Sequence, residues 1–342
     1  VSKQPKGLAH LLDILLHPGR FVTTKEAMLQ TPLPIDRFPC AWGCLGLLGL
    51  ALLLGTGGCR AIRRDGESRQ SIAAKRLARE GLEAMHRDRW DDAEDFFAGA
   101  IDLNTGDERA HWGLAESLWR RGERERAIEH LRTAVRLSGS HPELVVRLGR
   151  MYWETGQFEA AEKYCDEALV VGPELAAAWA LRGDCLGRRG KTQEALAAYH
   201  RALALQPDSP EVQIEAAELY RQQGRYDRLL ATLDRVRDEV PSDACPSRVP
   251  LLRGIAMRQL NRPHEAASCF AEALRLAPED PNVHLEIAAL SLRGGELEKA
   301  RKALVRAEQL HPGAQPTREM TEQLARREAR LAAEAVPTVK QR

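Results

Sequence analysis

The sequence predicts an all-α fold of repeated helix pairs, and three observations carry that prediction. Ala, Leu, Glu and Arg dominate while aromatic residues are only 5% of the chain; helices favour that composition, whereas sheets favour β-branched and aromatic residues. Small residues recur at a fixed interval of 34 over most of the chain. Gly and Pro fall at constant offsets from them, where helices would have to end. The 342 residues carry a formal net charge of +1, without the basic excess of a dedicated nucleic-acid binder. None of the seven cysteines forms a CxxC pair, so neither a zinc site nor a dithiol motif is signalled.

Each unit can be read in the same order. The landmarks are Ala93, Ala127, Ala161, Ala195, Leu229, Ala266 and Ala300, in steps of 34, 34, 34, 34, 37 and 34. Four positions on stands a filler: Phe97, Leu131, Cys165, Tyr199, Leu233, Phe270 or Leu304. Three further comes a second small residue, from Ala100 to Ala307, with Val236 in the fifth unit. Pro173, Pro207, Pro241, Pro278 and Pro312 close five units, with Thr105 and Gly139 in the first two. Twelve residues before each landmark, Gly81, Ala115, Gly149, Gly183, Ala217, Gly254 or Ala288 lets the preceding helix approach closely. Between the two helices of a unit sits a turn residue, Gly122, Gly156, Gly190, Gly224 or Gly295, replaced by Asp88 and Asn261 in two units. The single step of 37 places a looped-out insert in "SDACPSRVP" (242–250).

The pattern resembles the tetratricopeptide repeat, W-x2-L-G-x2-Y … A-x3-F … P, in degenerate form. "LGRMY" (148–152) with "AEKYCDEALVVGP" (161–173), and "WALRGDCL" (179–186) with "ALAAYHRALALQP" (195–207), show it best. The resemblance covers about residues 74–312 and implies a right-handed superhelical solenoid of about seven repeats over 73–315. The amphipathic stretch at 316–335, with Met320, Leu324 and Leu331, is expected to be the capping helix that open solenoids need. Residues 336–342 are expected to form a disordered tail.

Motifs for catalysis are near misses. "CLGRRGKT" (185–192) supplies a GKT, but Cys185 stands where a phosphate loop needs Gly and no strand precedes it. "HEAAS" (264–268) lacks the second His of a zinc protease. No nucleophile motif is present, and the ten histidines are scattered. An enzyme is not expected, nor a metal, a cofactor, a small-molecule substrate or a nucleic-acid partner. Cys165 and Cys185 read first as small buried thiols, with a disulfide left open in an oxidising compartment.

In the family, the first helix of each repeat lines a concave groove through its positions 2, 5, 9, 12 and 13. That register implies a patch of Trp112, Glu116, Trp119, Arg120, Arg150 and Trp153, three of the six tryptophans among guanidinium groups. Exposed Trp beside Arg is the composition of binding hot spots; the alternative is that Trp112 and Trp119 are packing residues. Arg120, Arg188, Arg221, Arg258 and Arg293 recur near the ends of first helices. They are either a basic stripe for an acidic peptide or, the preferred reading, cations placed at helix C-terminal dipoles. Glu143, Glu154, Asp184, Glu211 and Glu218 interleave with them, so the groove is mixed in charge. Some members grip a peptide carboxy-terminus with Lys and Asn at positions 5 and 9. Here those positions hold Ala78 and Leu82, Trp112 and Glu116, and Val146 and Arg150, which does not support that activity.

The N-terminal stretch "AWGCLGLLGLALLL" (41–54) is uncharged but short for a membrane span. With "GTGGC" behind it, it resembles a bacterial lipoprotein signal, in which small residues precede an invariant cysteine that becomes lipid-modified. Thr56 departs from the usual Leu. The resemblance implies a signal peptide over 28–58, lipid on Cys59 and a tether over 59–72, spanning roughly 20 Å. Residues 1–27, before Met28, are expected to be an over-extended start or a disordered extension. Arg60, Arg63 and Arg64 behind the cysteine oppose export. The expectation is therefore a lipid-anchored, non-catalytic interaction scaffold of a bacterial cell envelope, on the periplasmic side, binding protein or peptide segments in its groove. The alternatives are an adaptor with an uncleaved anchor and cytoplasmic repeats, or an accessory subunit of an enzyme, secretion or pilus complex.

Overall fold

Among the described residues, left-handed backbone is found at all seven turn positions that the sequence marks, and also at Gly139, Ser140 and Gly313. Gly122, Gly156, Gly190, Gly224 and Gly295 have φ between 69° and 90°, and Asp88 and Asn261 have φ of 60° and 58°. Asp and Asn are the non-glycine residues that tolerate this region best. In the first repeat, the Asp88 N–H donates to the Met85 carbonyl at 3.0 Å and the Arg89 N–H to that of Ala84 at 2.9 Å. The same pair of bonds recurs at Gly156 and Gln157, at 3.0 and 2.9 Å. These close the last carbonyls of one helix and aim the next back along it.

The computed structural model describes residues 69–241 and 244–335. The assigned signal peptide, Cys59, most of the tether and the tail at 336–342 lie outside the described residues. Fifteen helices and no strand are found among the described residues. Seven pairs run α1 (Arg69–His86) and α2 (Trp90–Leu103); α3 (Glu108–Arg121) and α4 (Arg124–Leu137); α5 (Pro142–Glu154) and α6 (Phe158–Val171); α7 (Ala176–Arg188) and α8 (Thr192–Leu205); α9 (Pro210–Gln222) and α10 (Tyr226–Glu239); α11 (Arg248–Gln259) and α12 (Pro263–Leu276); α13 (Pro281–Gly294) and α14 (Leu297–Leu310). A single helix, α15 (Gln315–Ala335), follows. Connectors between pairs are four residues long except before α11, where residues 240–247 intervene. The insert read as 242–250 overlaps this connector, but its last three residues, Arg248, Val249 and Pro250, open α11.

The chain divides into two units after Glu167. In the first, α1 packs on α2 and α3, and α3 on α2 and α4. Phe97 of α2 is fully buried, and a Cβ on either Gly81 of α1 or Gly113 of α3 would collide with its ring. The absence of a side chain at both positions is thus what admits the filler. In the second unit, Tyr199 and Phe270 are received by Gly183 and Gly254 in the same way. A core of alanines, leucines and these fillers runs from Leu186 to Val283. A further cluster from Ala288 to Leu304 is closed by Leu324 of α15, with Met320 packed against it. Cys165 and Cys185 are both buried.

Candidate functional site

The predicted tryptophan patch is largely internal. Trp112 is fully buried, at 0% exposure, and its indole N–H finds no hydrogen-bond partner. This corrects the expectation that it faces a ligand. α3 is covered by α1, α2 and α4, and every residue from Ala110 to Trp119 is buried. Glu116, at 2% exposure, accepts two bonds from the Arg147 guanidinium at 2.7 and 2.9 Å, so it joins α3 to α5 instead of lining a groove. Burial opposes the charge on Arg147, but the carboxylates of Glu116 and then Glu154 outweigh it and raise its pKa. Trp119, at 8% exposure, lies under Arg124 and Arg147, at 4.1 and 5.6 Å from its ring centroid. Arg124 also donates to the Trp119 carbonyl at 3.1 Å.

The remaining predicted residues are spread over both units. Arg120 is half-buried with its guanidinium 4.7 Å above the Trp90 ring. Trp153 is half-buried, edge-on to Phe158 at 4.9 Å. Arg150 is half-buried and Arg188 is exposed. In the second unit, Arg221 pairs with Glu218 at 2.6 Å and Arg258 with Glu286 at 2.7 Å. Arg293 donates to the Arg258 carbonyl at 2.8 Å, at the end of α11. Arg327 of α15 likewise donates to the Leu292 carbonyl near the end of α13. Arg221 and Arg258 thus pair with neighbouring carboxylates, and of the three only Arg293 is bonded to a helix-end carbonyl. Asp184 is engaged too, accepting from the Tyr199 hydroxyl at 2.6 Å.

An open site does exist on the first helices of the first unit. A cavity of about 590 Å³ is lined by Lys75, Ala78, Arg79 and Leu82 of α1, by Asn104, Gly106 and Asp107 of the α2–α3 connector, and by Glu108 and Arg109 of α3. Ala78 and Leu82 are groove residues of the sequence register; Lys75, Arg79 and Arg109 were not singled out there. Their only signal was that Lys75 and Arg109 fall at position 2 of the repeat register. The connector is held in place by its own polar groups. The Asp107 carboxylate accepts from the Arg109 and Ala110 N–H groups at 3.0 and 3.1 Å, and the Asn104 side-chain oxygen from Gly106 at 3.1 Å.

A histidine pair braces the same connector. The His111 ring lies 3.1 Å from the Thr105 carbonyl through Nε2 and 3.1 Å from His130 through Nδ1. A carbonyl only accepts, so Nε2 of His111 carries the proton and its Nδ1 accepts from His130 in the neutral pair. The rings stack with centroids 5.3 Å apart. Burial, then His111, then Arg126 lower the pKa of His130, while Glu129 opposes them. Among the described residues no group of three or more His, Cys, Asp or Glu could hold a metal ion, and no helix is long and apolar enough to cross a membrane.

Comparison with known proteins assigns this architecture. The tetratricopeptide repeat profile matches residues 78–142, 113–181, 146–210 and 251–315, and a second profile of that description matches 188–244. The chain belongs to the tetratricopeptide repeat family. It is 25% identical over 211 residues to protein O-mannosyl-transferase TMTC1 of Homo sapiens, across 61% of this chain but only 24% of that protein. It is 23% identical over 300 residues to TPR repeat-containing protein YpiA of Bacillus subtilis, across 86% of this chain and 69% of that one. The chain thus spans about a quarter of the human relative. Among solved structures, PilF of Pseudomonas aeruginosa matches with a TM-score of 0.55 at 20% identity, over 63% of this chain and 97% of PilF. A tetratricopeptide repeat protein of Parabacteroides merdae matches at 0.57 and 16%, over 74% and 99%. At those identities the structural likeness speaks for the fold alone.

Proposed function

We propose that this protein is a non-catalytic scaffold that holds protein or peptide segments on the first-helix face of its repeats. The observation that carries this is the cavity between α1, α3 and their connector, at which Lys75 and Arg79 of α1 are exposed and Arg109 of α3 is half-buried. Polar rims around small apolar floors suit peptide segments better than a buried small substrate. Cross-linking capture from native membranes is expected to recover partner proteins whose yield falls when Arg79 and Arg109 are both changed to Ala. Unchanged yield would move the contact surface elsewhere.

The reading extends to a lipid on Cys59 that holds the repeats at the periplasmic face of a bacterial envelope membrane, supported by the small residues before that cysteine and the apolar run that precedes them. Radiolabelled fatty acid should be incorporated into the wild type and not into Cys59→Ala. A second reading, an uncleaved anchor with the repeats facing the cytoplasm, is favoured by Arg60, Arg63 and Arg64 directly after the cysteine. A reporter fused after Arg342 that is active only in the cytoplasm would select it.

A further inference from the structure

We infer that the seam between α8 and α10, where Arg228 and Arg235 flank His200, is a binding site for a compact oxyanion of the phosphate class. The site lies on second helices of the second unit and does not depend on the scaffold reading.

The seam exists because α10 carries opposite charges on two adjoining faces. Arg228, Thr232 and Arg235 are spaced four and three apart and share one face. Asp227, Ala231, Asp234 and Asp238 share the next. The acidic face is directed to α11, since Asp234 pairs with Arg253 of that helix as well as with Arg237, at 3.6 Å. The basic face is directed to α8. Buried Tyr220 of α9 ties the two helices there. Its hydroxyl lies 2.9 Å from Nε2 of His200 on α8, and Arg225, just before α10, stands 5.6 Å from its ring centroid. Partial burial of the His200 ring, then Arg228 and Arg235, lower its pKa, so both guanidinium groups are near enough to act on the imidazole.

Arginines of the second unit are ordinarily answered by carboxylates, as Arg253 is by Asp234, Arg262 by Glu265 and Arg301 by Glu298 and Glu328. The Arg228 and Arg235 guanidinium groups instead reach solvent with no ion pair or hydrogen bond among the described residues. Arg201, beside His200 on α8, is exposed as well. Glu239, one turn beyond Arg235, accepts from Gln213 of α9 at 3.3 Å. Thr232 is also committed, its hydroxyl donating to the Arg228 carbonyl at 2.8 Å.

The geometry narrows the ligand. Arg228 and Arg235 stand about 10 Å apart along the helix, and both side chains are long enough to reach one anion held between them. When the Tyr220 hydroxyl donates to Nε2, Nδ1 of His200 carries the ring proton and is the donor left for a ligand. Two guanidinium forks and an imidazole N–H suit the several oxygens of a phosphate. Two full positive charges match a dianion, whereas a single carboxylate would leave one of them over. Asp227 and Asp238, exposed on the adjoining face, repel a flat anionic bilayer but leave the seam open to a single phosphate group.

The test follows ring C–H signals of the full chain, labelled with 13C-histidine, as inorganic phosphate is added at pH 7.5 against chloride of equal ionic strength. His200→Gln identifies the signal. It should shift saturably and its titration midpoint should rise, because a bound dianion favours the imidazolium. Arg228→Gln/Arg235→Gln should weaken the affinity by about tenfold or more while keeping the helical circular dichroism. Lys302→Ala/Arg306→Ala, exposed on α14, should respond as the wild type does. No saturable shift, the same shift with chloride, or equal affinity in the Arg228/Arg235 variant would overturn the site. A phosphoserine decapeptide that binds more tightly than inorganic phosphate would place the phosphate on a polypeptide, and equal binding would leave it free in solution; both support the class. Tighter binding of the matching glutamate decapeptide, or a response to phosphatidylglycerol vesicles alone, would overturn it.

Discussion

Single residues in the first unit divide between packing and pH response. Trp112 reads in sequence as a contact residue, yet it is fully buried with an unpartnered indole N–H. Trp112→Ala is expected to destabilise the protein by about 3–5 kcal/mol, measured by denaturant unfolding, because it removes a whole buried ring. Binding lost in that variant would then report unfolding and not a missing contact. Glu116→Gln leaves Arg147 charged in a mostly buried setting and should also destabilise, by about 3–5 kcal/mol as for other broken buried pairs. His130 supplies the pH dependence. Its pKa is depressed by burial and by His111 and Arg126, so below the ordinary histidine value of 6.5 the unfolded chain binds more protons than the folded one. Stability contributed by the neutral pair is present above that value and is lost as pH falls through it. Thermal unfolding at pH 7.5 and 5.5 should show a drop in the wild type that is smaller in His130→Gln; an equal drop would place the acid sensitivity elsewhere.

At the level of elements, the helix pair is decided by glycine against ring. Gly113 was not among the residues picked out by the repeat register, because Ala115 occupies the small-residue position of its unit. The structure brings Gly113 and Gly81 to the same Phe97 ring, from α3 and α1, so one filler joins two repeats. Gly113→Ala should cost about 1–3 kcal/mol by overpacking. Adding Phe97→Leu should recover part of that loss, a non-additivity that a double-mutant cycle would measure. The turns were far more legible. Residues with positive φ stand at all seven predicted sites, including the two without glycine, because only Gly, Asn and Asp enter that region cheaply.

Across the whole molecule, repeats cannot close their own ends, and each stack needs a final element with a polar outer side. α15 supplies it through Leu324 and Met320, against a cluster containing Leu292 and Leu304, and is pinned by Arg327 on the Leu292 carbonyl and by Glu328 on Arg301 at 2.5 Å. A chain ending at His311 should expose that cluster. It should show faster amide exchange in α13 and α14 and concentration-dependent association in light scattering, with the first unit unaffected. The sequence by itself determined the number of repeats, their turns, the insert before α11 and the terminal helix. Those features depend on backbone rules and on a period of 34, both of which are local and repeat down the chain. Only the tertiary structure decided which first-helix residues meet solvent. Trp112 and Arg109 stand three apart on one helix and both fall on family groove positions, yet neighbouring helices bury the first and leave the second at the rim of a cavity. Exposure is a property of what packs on a helix from other repeats, and a register within one repeat carries no information about that.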